Sequence, residues 1–350
     1  MELWFDALLI AICALLIDCY VGDVSNRYHP LRWMGNLLDV IDEHIKNRKT
    51  NWDVLWGFLS YVLVLVVFGG LAMTICMAVR YGLAGVGVFT VGSVSGSIGE
   101  LIWILVVALL FKVTFALFAF RRFCAPVADD LRRDDRDAAA DKVQMMVNRK
   151  TRGMDTPHLT SSCCETISEN LVDSDISPLF YFGPFGLFGA IAFRCSNLMD
   201  AMWGHRDEHF NVIGHFPARL DDVLGLIPAR LSPLFVALAA WMGGLKPKRN
   251  PIRAACQEHR KTPSPNSGWP MTACAAALGI SFHKQDVYIM GEGPLPSIDD
   301  IARNYHLVEL TTILFMFIWT IPVAMFCGIH VQIYLEDVLH RFFSGLLGAI

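Results

Sequence analysis

Long apolar runs recur along the sequence and predict helices that cross a membrane. Residues 54 to 79 contain no charged side chain, and this run exceeds the roughly 20 residues that an α-helix needs to cross the hydrocarbon core. Residues 101 to 120 carry one charge, Lys112, and residues 310 to 329 carry none. Pro322 predicts a kink in the last of these helices. All three runs are therefore predicted to span the membrane.

The remaining apolar stretches are shorter or irregular. Residues 3 to 17 carry only Asp6 and lack the basic start and small-residue cleavage site of a secretory signal, so we expect them to stay as a first helix. Residues 176 to 193 are uncharged, but their prolines and glycines predict a broken or re-entrant helix. Residues 231 to 245 begin after Arg230 and form either a short span or a buried helix.

Lysine and arginine cluster in two connections and predict the orientation of the chain. Arg121 and Arg122 follow the third apolar run, whereas residues 80 to 99 contain only Arg80. The loop from 21 to 52 is richer, with Arg27, Arg32, Lys46, Arg48 and Lys49. By the positive-inside rule, this loop and the segment after residue 120 are cytoplasmic and the N-terminus lies outside.

The pattern as a whole predicts an all-α polytopic integral membrane protein. We expect about four to five transmembrane helices, further broken or re-entrant helices, and a cytoplasmic helical portion. The chain is predicted to divide into three parts. Residues 1–120 are N-terminal membrane helices, with spans at about 3–20, 54–79 and 100–120 and a cytoplasmic loop at 21–52. Residues 121–306 are a cytoplasm-facing catalytic portion with membrane-associated stretches at 176–193 and 228–245, and residues 307–350 are a C-terminal transmembrane helix and tail.

Composition narrows the function classes. Of the 350 residues, 54% are hydrophobic and 18% charged, whereas soluble domains average about 25% charged residues. The formal net charge of -4 provides no basic surplus for a nucleic-acid partner. The ten cysteines include no C-x-x-C pair and four lie in apolar stretches, so they are interpreted mainly as small buried side chains.

Three acids recur at helical spacing in the polar region after residue 160. Glu165, Glu169 and Asp173 stand four apart, with Asn170 beside them. Like charges stacked on one helix face destabilise the helix unless something compensates them. Mg²⁺ prefers carboxylate oxygens and shares them with substrate phosphates. The spacing indicates either a metal or phosphate site or a solvated acidic face.

Arginines next to acids or amides follow in three segments. Arg194 and Asn197 share a helix face, and Arg206 comes shortly after a glycine. Arg219, Asp221 and Asp222 come before Arg230 in the third segment. A break at Pro228 would place Arg230 at the edge of the next apolar segment. Guanidinium groups bind carboxylates and phosphates through two parallel hydrogen bonds. Structural salt bridges would give the same pattern, so both interpretations stay open.

A proline-bounded polar turn opens an alanine-rich helix near residue 268. Ser264 and Asn266 stand in this turn, and backbone N–H groups at a helix N-terminus bind anions. A simple capping turn is the alternative.

Five ordered segments together resemble the CobD/CbiB family of cobalamin biosynthesis. They are GDVSNRYHPLRWMG at 22–35, CCETISENLVDSDISPLFYF at 163–182, AIAFRCSNLMDAMWGHRDE at 190–208, ARLDDVLGLIPARL at 218–231 and SPNSGWPMTACAAALG at 264–279. The sequence departs from the family pattern in two places. Val24 replaces a proline, and Asn148 to Thr151 replaces an Arg-Asp-Thr run, so no role is transferred to Lys150.

The resemblance implies an adenosylcobinamide-phosphate synthase in the cell membrane with its active site facing the cytoplasm. Such an enzyme joins aminopropanol or its O-phosphate to the free propionate carboxylate of adenosylcobyric acid, using ATP and Mg²⁺. The implied partners are these substrates and the lipid bilayer, with a homo-oligomer or other corrinoid-pathway membrane enzymes as further partners and no nucleic acid. A corrinoid-binding membrane transporter and a non-catalytic membrane sensor of the same fold are the alternatives.

Roles within the site follow as hypotheses from the resemblance and the chemistry together. Catalytic roles are expected for Glu165, Glu169, Asp173 and Asp222. Mg²⁺ ligands are expected among Glu165, Glu169, Asp173, Asp221 and Asp222. Substrate and phosphate binding is expected from Arg194, Asn197, Arg206, Arg219, Arg230, Asn170, Ser264 and Asn266.

Overall fold

A computed structural model describes residues 3–23, 26–45, 53–91, 94–204, 213–284 and 287–348. These residues are mostly helical. The helices are α1 Leu3–Tyr20, α2 Pro30–Ile45, α3 Asp53–Gly82, α4 Ile98–Lys112, α5 Ala119–Arg132, α6 Arg136–Gln144, α7 Thr156–Asn170, α8 Ser177–Trp203, α9 His215–Met242, α10 Pro251–Glu258, α11 Gly268–Leu278, α12 Ile298–Phe315, α13 Ile321–Val323 and α14 Ile329–Gly348.

Two antiparallel hairpins are the strand elements of the described chain. Strand β1 Val88–Val91 pairs with β2 Val94–Ser97, and β3 Phe282–Lys284 pairs with β4 Tyr288–Met290. Short 3₁₀ turns occur at Asn26–Tyr28 and His259–Lys261. Widened π turns occur at Leu171–Ile176, Met316–Thr320 and Ala324–Gly328.

Within the described residues, five helical runs are long and apolar enough to cross a membrane. They are Leu3–Tyr20, Val54–Gly82, Thr156–Trp203, His215–Met242 and Ile298–Leu346. The predicted class of an all-α polytopic membrane protein is confirmed. The last run contains the predicted span at 310 to 329, and π turns lie on both sides of the segment with Pro322.

The predicted span at 101 to 120 is wrong as a single helix. Helix α4 ends at Lys112 and has 15 residues, which is about 22 Å and shorter than the hydrocarbon core of about 30 Å. The Lys112 side chain is only 2% exposed and lies 3.0 Å from Asp18 Oδ1, and it also contacts Asp23. Helix α4 ends at this buried ion pairing although the apolar run continues, and α5 begins separately at Ala119.

The irregular stretch from 176 to 193 contains the predicted break. Helix α8 includes Pro184, and at Gly186 the backbone angles are φ 62° and ψ -155°, which are not helical. Only glycine adopts this region readily. The break therefore follows from the sequence, although helical structure continues on both sides of it.

Helix α9 corrects the expectation of a break at Pro228. The helix runs from His215 to Met242 through both Pro228 and Pro233. Residues 231 to 245 are therefore mostly the second half of a 28-residue helix, and Arg230 lies within that helix. The added length makes α9 a candidate span.

The chain divides into two compact units. The first unit comprises Met1–Phe115, Pro178–Val223 and Met316–Ile350, and the second comprises Ala116–Ser177 and Leu224–Phe315. Apolar side chains of α1, α4 and α8, such as Ile10, Val107 and Leu187, are buried in the first unit. Buried apolar residues of α7, α11 and α12 form the core of the second.

Candidate functional site

A cleft of about 440 Å³ in the second unit brings several predicted residues together. It is lined by the segment before α7, by one face of α7, and by the hairpin β3–β4. The lining residues are Met146, Val147, Asn148, Arg149, Glu165, Thr166, Glu169, Asn170, Lys284 and Tyr288. Three of the predicted site residues, Glu165, Glu169 and Asn170, therefore face one cavity.

The start of α7 explains how these side chains reach the cleft. Asp155 caps the helix by accepting a hydrogen bond from the backbone N–H of His158 at 3.0 Å, and Pro157 stands in the first turn. Both features favour a helix start at this point. Glu165 and Glu169 follow one turn apart and so project from the same face.

The Glu165 carboxylate is saturated with hydrogen-bond donors. Its Oε2 accepts from Tyr288 Oη at 3.1 Å and from Arg149 Nη1 at 3.2 Å. Its Oε1 accepts from Ser161 Oγ at 3.0 Å and lies 3.1 Å from Arg149 Nη2. The residue is 4% exposed. Glu165 therefore holds Arg149 in place, and binding a metal would require these contacts to break.

Two cations stand in the cleft beside the two carboxylates. Arg149 Nη2 also donates to Ser162 Oγ at 2.7 Å, so its guanidinium is fixed from two sides. Lys284 Nζ lies 5.7 Å from the centre of the Tyr288 ring, within the range of a cation–π contact. The cleft therefore presents fixed positive charge of the kind that binds phosphate.

Tyr288 acts in the cleft as a neutral donor. Burial raises the pKa of Tyr288 well above the usual value for tyrosine, and the nearby Glu165 and Glu169 carboxylates raise it further. The hydroxyl consequently keeps its proton and donates a hydrogen bond to Glu165 Oε2 at 3.1 Å.

The described residues offer a limited fit for a Mg²⁺ ion. Among them, no three His, Cys, Asp or Glu side chains are arranged to hold a metal. Asp173 follows the end of α7, in the widened turn Leu171–Ile176, and is not among the cleft residues. Mg²⁺ usually takes one or two protein carboxylates and keeps water and phosphate oxygens. Glu169, with the Asn170 amide, fits that sparse mode, whereas a three-carboxylate cluster is not formed.

Arg230 and the turn residues form a second group in the same unit. The Arg230 guanidinium lies 5.2 Å from the centre of the Trp269 ring, and this ring stacks on His259 at 4.1 Å. Ser264 Oγ accepts hydrogen bonds from the backbone N–H groups of Asn266 and Ser267 at 3.2 and 3.3 Å. The Ser264 hydroxyl therefore organises the turn before α11.

The fit of this turn depends on two glycines. A Cβ on Gly225 of α9 would lie 2.4 Å from the side-chain nitrogen Nδ2 of Asn266. A Cβ on Gly268 would lie 2.0 Å from the backbone carbonyl oxygen of His259. Both approaches are too close for a side chain. The segment around 264 to 269 is consequently packed directly against α9 and the turn at His259.

Five further site residues of the described chain lie in the first unit, namely Arg194, Asn197, Arg219, Asp221 and Asp222. Arg194 Nη1 donates to Asn197 Oδ1 at 2.9 Å, as their spacing on α8 predicts. Arg194 also lines an apolar cavity and acts electrostatically on His29. Burial lowers the pKa of His29 below the usual histidine value, although Asp23 opposes this shift. Residues from the first and third quoted segments therefore come close together.

Arg219 and the paired acids stand at the start of α9. Arg219 Nη1 lies 3.9 Å from Asp222 Oδ2 and is 70% exposed, so this ion pair is weak. Asp221 is half-buried and precedes Asp222 on the same helix. Arg206 and the basic residues Lys46, Arg48 and Lys49 lie outside the described residues.

Sequence reasoning missed three cleft residues. Arg149 lies in the run that departs from the family pattern, and that departure was the available signal. Lys284 and Tyr288 belong to a hairpin more than a hundred positions after Glu165, and nothing local marks them as partners of α7.

Comparison with known proteins agrees with the quoted segments. A family model described as "CobD/Cbib protein" matches residues 11–326. The "Cobalamin biosynthesis protein CobD" of Dehalococcoides mccartyi is 32% identical over 291 residues, which cover 83% of this chain and 89% of that protein.

Two further relatives show a similar degree of identity. The "Probable cobalamin biosynthesis protein CobD" of Methanothrix thermoacetophila is 33% identical over 316 residues, covering 87% of this chain and 93% of the relative. The protein of the same description from Methanothermobacter thermautotrophicus is 30% identical over 308 residues, covering 87% and 94%. No solved structure matches the fold.

Proposed function

Because the chain belongs to the CobD/CbiB family, we propose that it is an adenosylcobinamide-phosphate synthase of cobalamin biosynthesis. The reaction is an ATP-dependent ligation that attaches aminopropanol or its O-phosphate to the free propionate carboxylate of adenosylcobyric acid. The observation that carries the proposal is the cleft in which Arg149 and Lys284 face Glu165 and Glu169.

Amide formation from a carboxylate requires activation of the acid. The propionate oxygen attacks the γ-phosphorus of ATP, so that ADP leaves and an acyl phosphate forms. The amine then attacks the acyl carbon, phosphate leaves, and the amine gives up a proton. Cations must therefore neutralise phosphate charge, and a base must accept the proton.

Arg149 and Lys284 supply the positive charge in this proposal. Glu165 and Ser162 fix the guanidinium of Arg149, so little conformational entropy is lost when phosphate binds. Lys284 approaches from the hairpin on another side of the cleft. Arg230, Ser264 and Asn266 are proposed to bind phosphate or carboxylate groups as a second set.

Glu169 is the proposed general base or metal ligand. Unlike Glu165, it is solvent-exposed at the cleft surface, so its carboxylate is accessible to substrate. A Mg²⁺ ion held by Glu169 and Asn170 would neutralise triphosphate charge when bound. Glu165 then acts by positioning Arg149. The roles of Asp173, Asp221 and Asp222 as ligands or bases, and of Arg194, Asn197, Arg206 and Arg219 in binding the corrinoid, remain hypotheses.

The proposed location is the cell membrane, with the cleft facing the cytoplasm, where ATP is present. The five apolar helical runs support a multi-pass protein. Arg149, Lys284 and Tyr288 of the cleft lie outside these five runs, and this favours chemistry at a membrane face over transport of a corrinoid.

The decisive experiment is turnover by the purified protein in detergent. Adenosylcobyric acid, ATP and Mg²⁺ are supplied with aminopropanol or with its O-phosphate, and corrinoid products and ADP are quantified. We expect an amide product with one of the amines and a loss of at least a hundredfold for Glu169→Gln. Glu292→Gln, which changes an exposed acid of the same unit, is the matched control.

Two outcomes contradict the proposal. Formation of no product with either amine by a folded protein would exclude the ligase activity and leave a transporter or sensor of the same family. Wild-type turnover by Glu169→Gln would leave the ligase activity standing but exclude Glu169 from the chemistry.

A further inference from the structure

A separate polar cavity lies among the apolar helices of the first unit. It has a volume of about 220 Å³ and is lined by residues of α1, α3, α4 and α14 and of the segments flanking the first hairpin. Its polar lining consists of Asp6, Arg80, Ser97 and Glu100, and the Trp103 indole forms part of the wall. Asp6 and Glu100 stand in the first turns of α1 and α4, and Arg80 stands in the last turn of α3.

Asp6 is the most informative residue of this cavity. It is 2% exposed, and its Oδ1 accepts no hydrogen bond within the part of the chain that the structure describes. A buried carboxylate oxygen without a donor is unfavourable. A native structure usually supplies the missing donor through an ion, a ligand or water.

The arginine of the cavity is engaged by other acids. Arg80 Nη1 lies 2.9 Å from Asp337 Oδ1 and 3.5 Å from Glu336 Oε2. Glu336 is fully buried and also accepts from Trp103 Nε1 at 3.1 Å. Glu336 and Asp337 therefore pair with this guanidinium, whereas Arg80 and the Glu100 carboxylate act on Asp6 only electrostatically. The carboxylates around Arg80 outnumber its single positive charge, and a further cation would balance them.

The shape and chemistry of the cavity restrict what supplies that charge. The absence of any three-ligand metal group among the described residues argues against a chelated metal. A primary ammonium carries one positive charge and three N–H donors. A cavity of about 220 Å³ holds a small amino alcohol, whereas drug-sized ligands need roughly 300 to 1,000 Å³.

We propose that this cavity binds a small primary ammonium group, with Asp6 as the accepting carboxylate. The proposal concerns a site in the first unit and is independent of the ligase chemistry in the cleft. Two sources offer this chemistry, a free amino alcohol and the ethanolamine headgroup of a membrane lipid. Ethanolamine is the probe for the first, and phosphatidylethanolamine is the probe for the second.

Binding is measured on the full chain in two arms. In detergent, thermal stability is followed against ethanolamine, with ethylene glycol as the control that lacks the amine. In nanodiscs, lipid bound to the protein is quantified by native mass spectrometry in phosphatidylethanolamine and in phosphatidylcholine, whose quaternary ammonium has no N–H donor. An acetylated sample is measured in parallel, because a free α-amino group of the chain is a competing ammonium.

We expect saturable, amine-specific binding in at least one arm and an affinity loss of at least tenfold for Asp6→Asn. Asp39→Asn removes an exposed acid of α2 in the same unit and should bind as wild type. If Asp6→Asn does not fold, Ala84→Phe narrows the cavity without removing a charge and should also weaken binding. Binding in neither arm, or equal binding by wild type and both cavity variants, would overturn the proposal.

Discussion

The two terminal nitrogens of Arg149 contact the two carboxylate oxygens of Glu165, at 3.2 Å from Oε2 and 3.1 Å from Oε1. This bidentate pair joins the segment before α7 to the helix itself. Glu165 thus contributes to the cleft through the guanidinium that it holds, while Glu169, one turn later, presents its carboxylate to solvent.

Exchanging each of these two glutamates for glutamine should separate positioning from chemistry. Glu165→Gln leaves Arg149 without its counter-charge and should lower the free energy of unfolding by about 2 to 3 kcal/mol, less than a fully buried pair because Arg149 is partly exposed. Glu169→Gln should change stability by less than about 1 kcal/mol. Thermal unfolding and turnover are measured on both.

The two variants should differ in whether turnover and the free energy of unfolding are lost together. Glu165→Gln should lose both, and Glu165→Asp should recover part of each. Glu169→Gln should lose activity alone. A Glu165→Gln protein of unchanged stability would show that the Arg149 contact is unimportant in solution.

Tyr288 should make stability sensitive to alkaline pH. Because burial raises the pKa of Tyr288 above the value of the unfolded chain, its contribution is fully present below about pH 10 and is lost as pH rises through the folded pKa. Tyr288→Phe should remove this pH dependence and cost about 1 kcal/mol through the lost hydrogen bond to Glu165. Tyrosinate absorbance and melting temperature against pH give the comparison, and parallel pH profiles for the two proteins would contradict it.

Lys112 should be more important for stability than its position in an apolar run suggests. Lys112→Met leaves the Asp18 carboxylate, which is fully buried, and Asp23 without their cation, and should cost about 3 to 5 kcal/mol. Lys248→Met, at an exposed lysine, should stay within about 0.5 kcal/mol of wild type. The melting temperatures of both are measured in one detergent, and equal values would argue against the buried ion pairing.

Gly186 and Gly70 provide a matched pair for the break in α8. Gly186→Ala places a Cβ at 2.9 Å from the Gly328 carbonyl oxygen in a backbone region closed to most residues, so we expect a loss of about 1 to 3 kcal/mol. Gly70→Ala adds a Cβ with no neighbour within 4 Å on helix α3 and should stabilise by up to about 1 kcal/mol. Thermal unfolding distinguishes them, and a stabilised Gly186→Ala would disprove the break.

Features encoded locally were predictable from the sequence. The uncharged run at 54 to 79 predicts α3 because only length and hydropathy are needed, and the prolines and glycines at 176 to 193 predict the break at Gly186. The spacing of Glu165 and Glu169 predicts their common face.

Features that depend on distant partners were not predictable. The end of α4 depends on Asp18 and Asp23, far earlier in the chain, and Tyr288 reaches Glu165 across 123 positions. Proline gave a misleading signal at Pro228, where the surrounding helix is retained. Asp173 was expected in line with Glu165 and Glu169, but the π turn after Asn170 adds backbone to each turn and rotates later residues away.

The short α4 has a consequence for the surrounding lipid. Its 15 residues extend about 22 Å, whereas the hydrocarbon core is about 30 Å thick. Several of its side chains, including Leu105 and Leu109, are exposed on the surface of the protein. A bilayer meets such hydrophobic mismatch by thinning locally, at a modest cost for each ångström. The lipid beside α4 should therefore be thinner than the lipid beside α3, whose 30 residues extend about 45 Å.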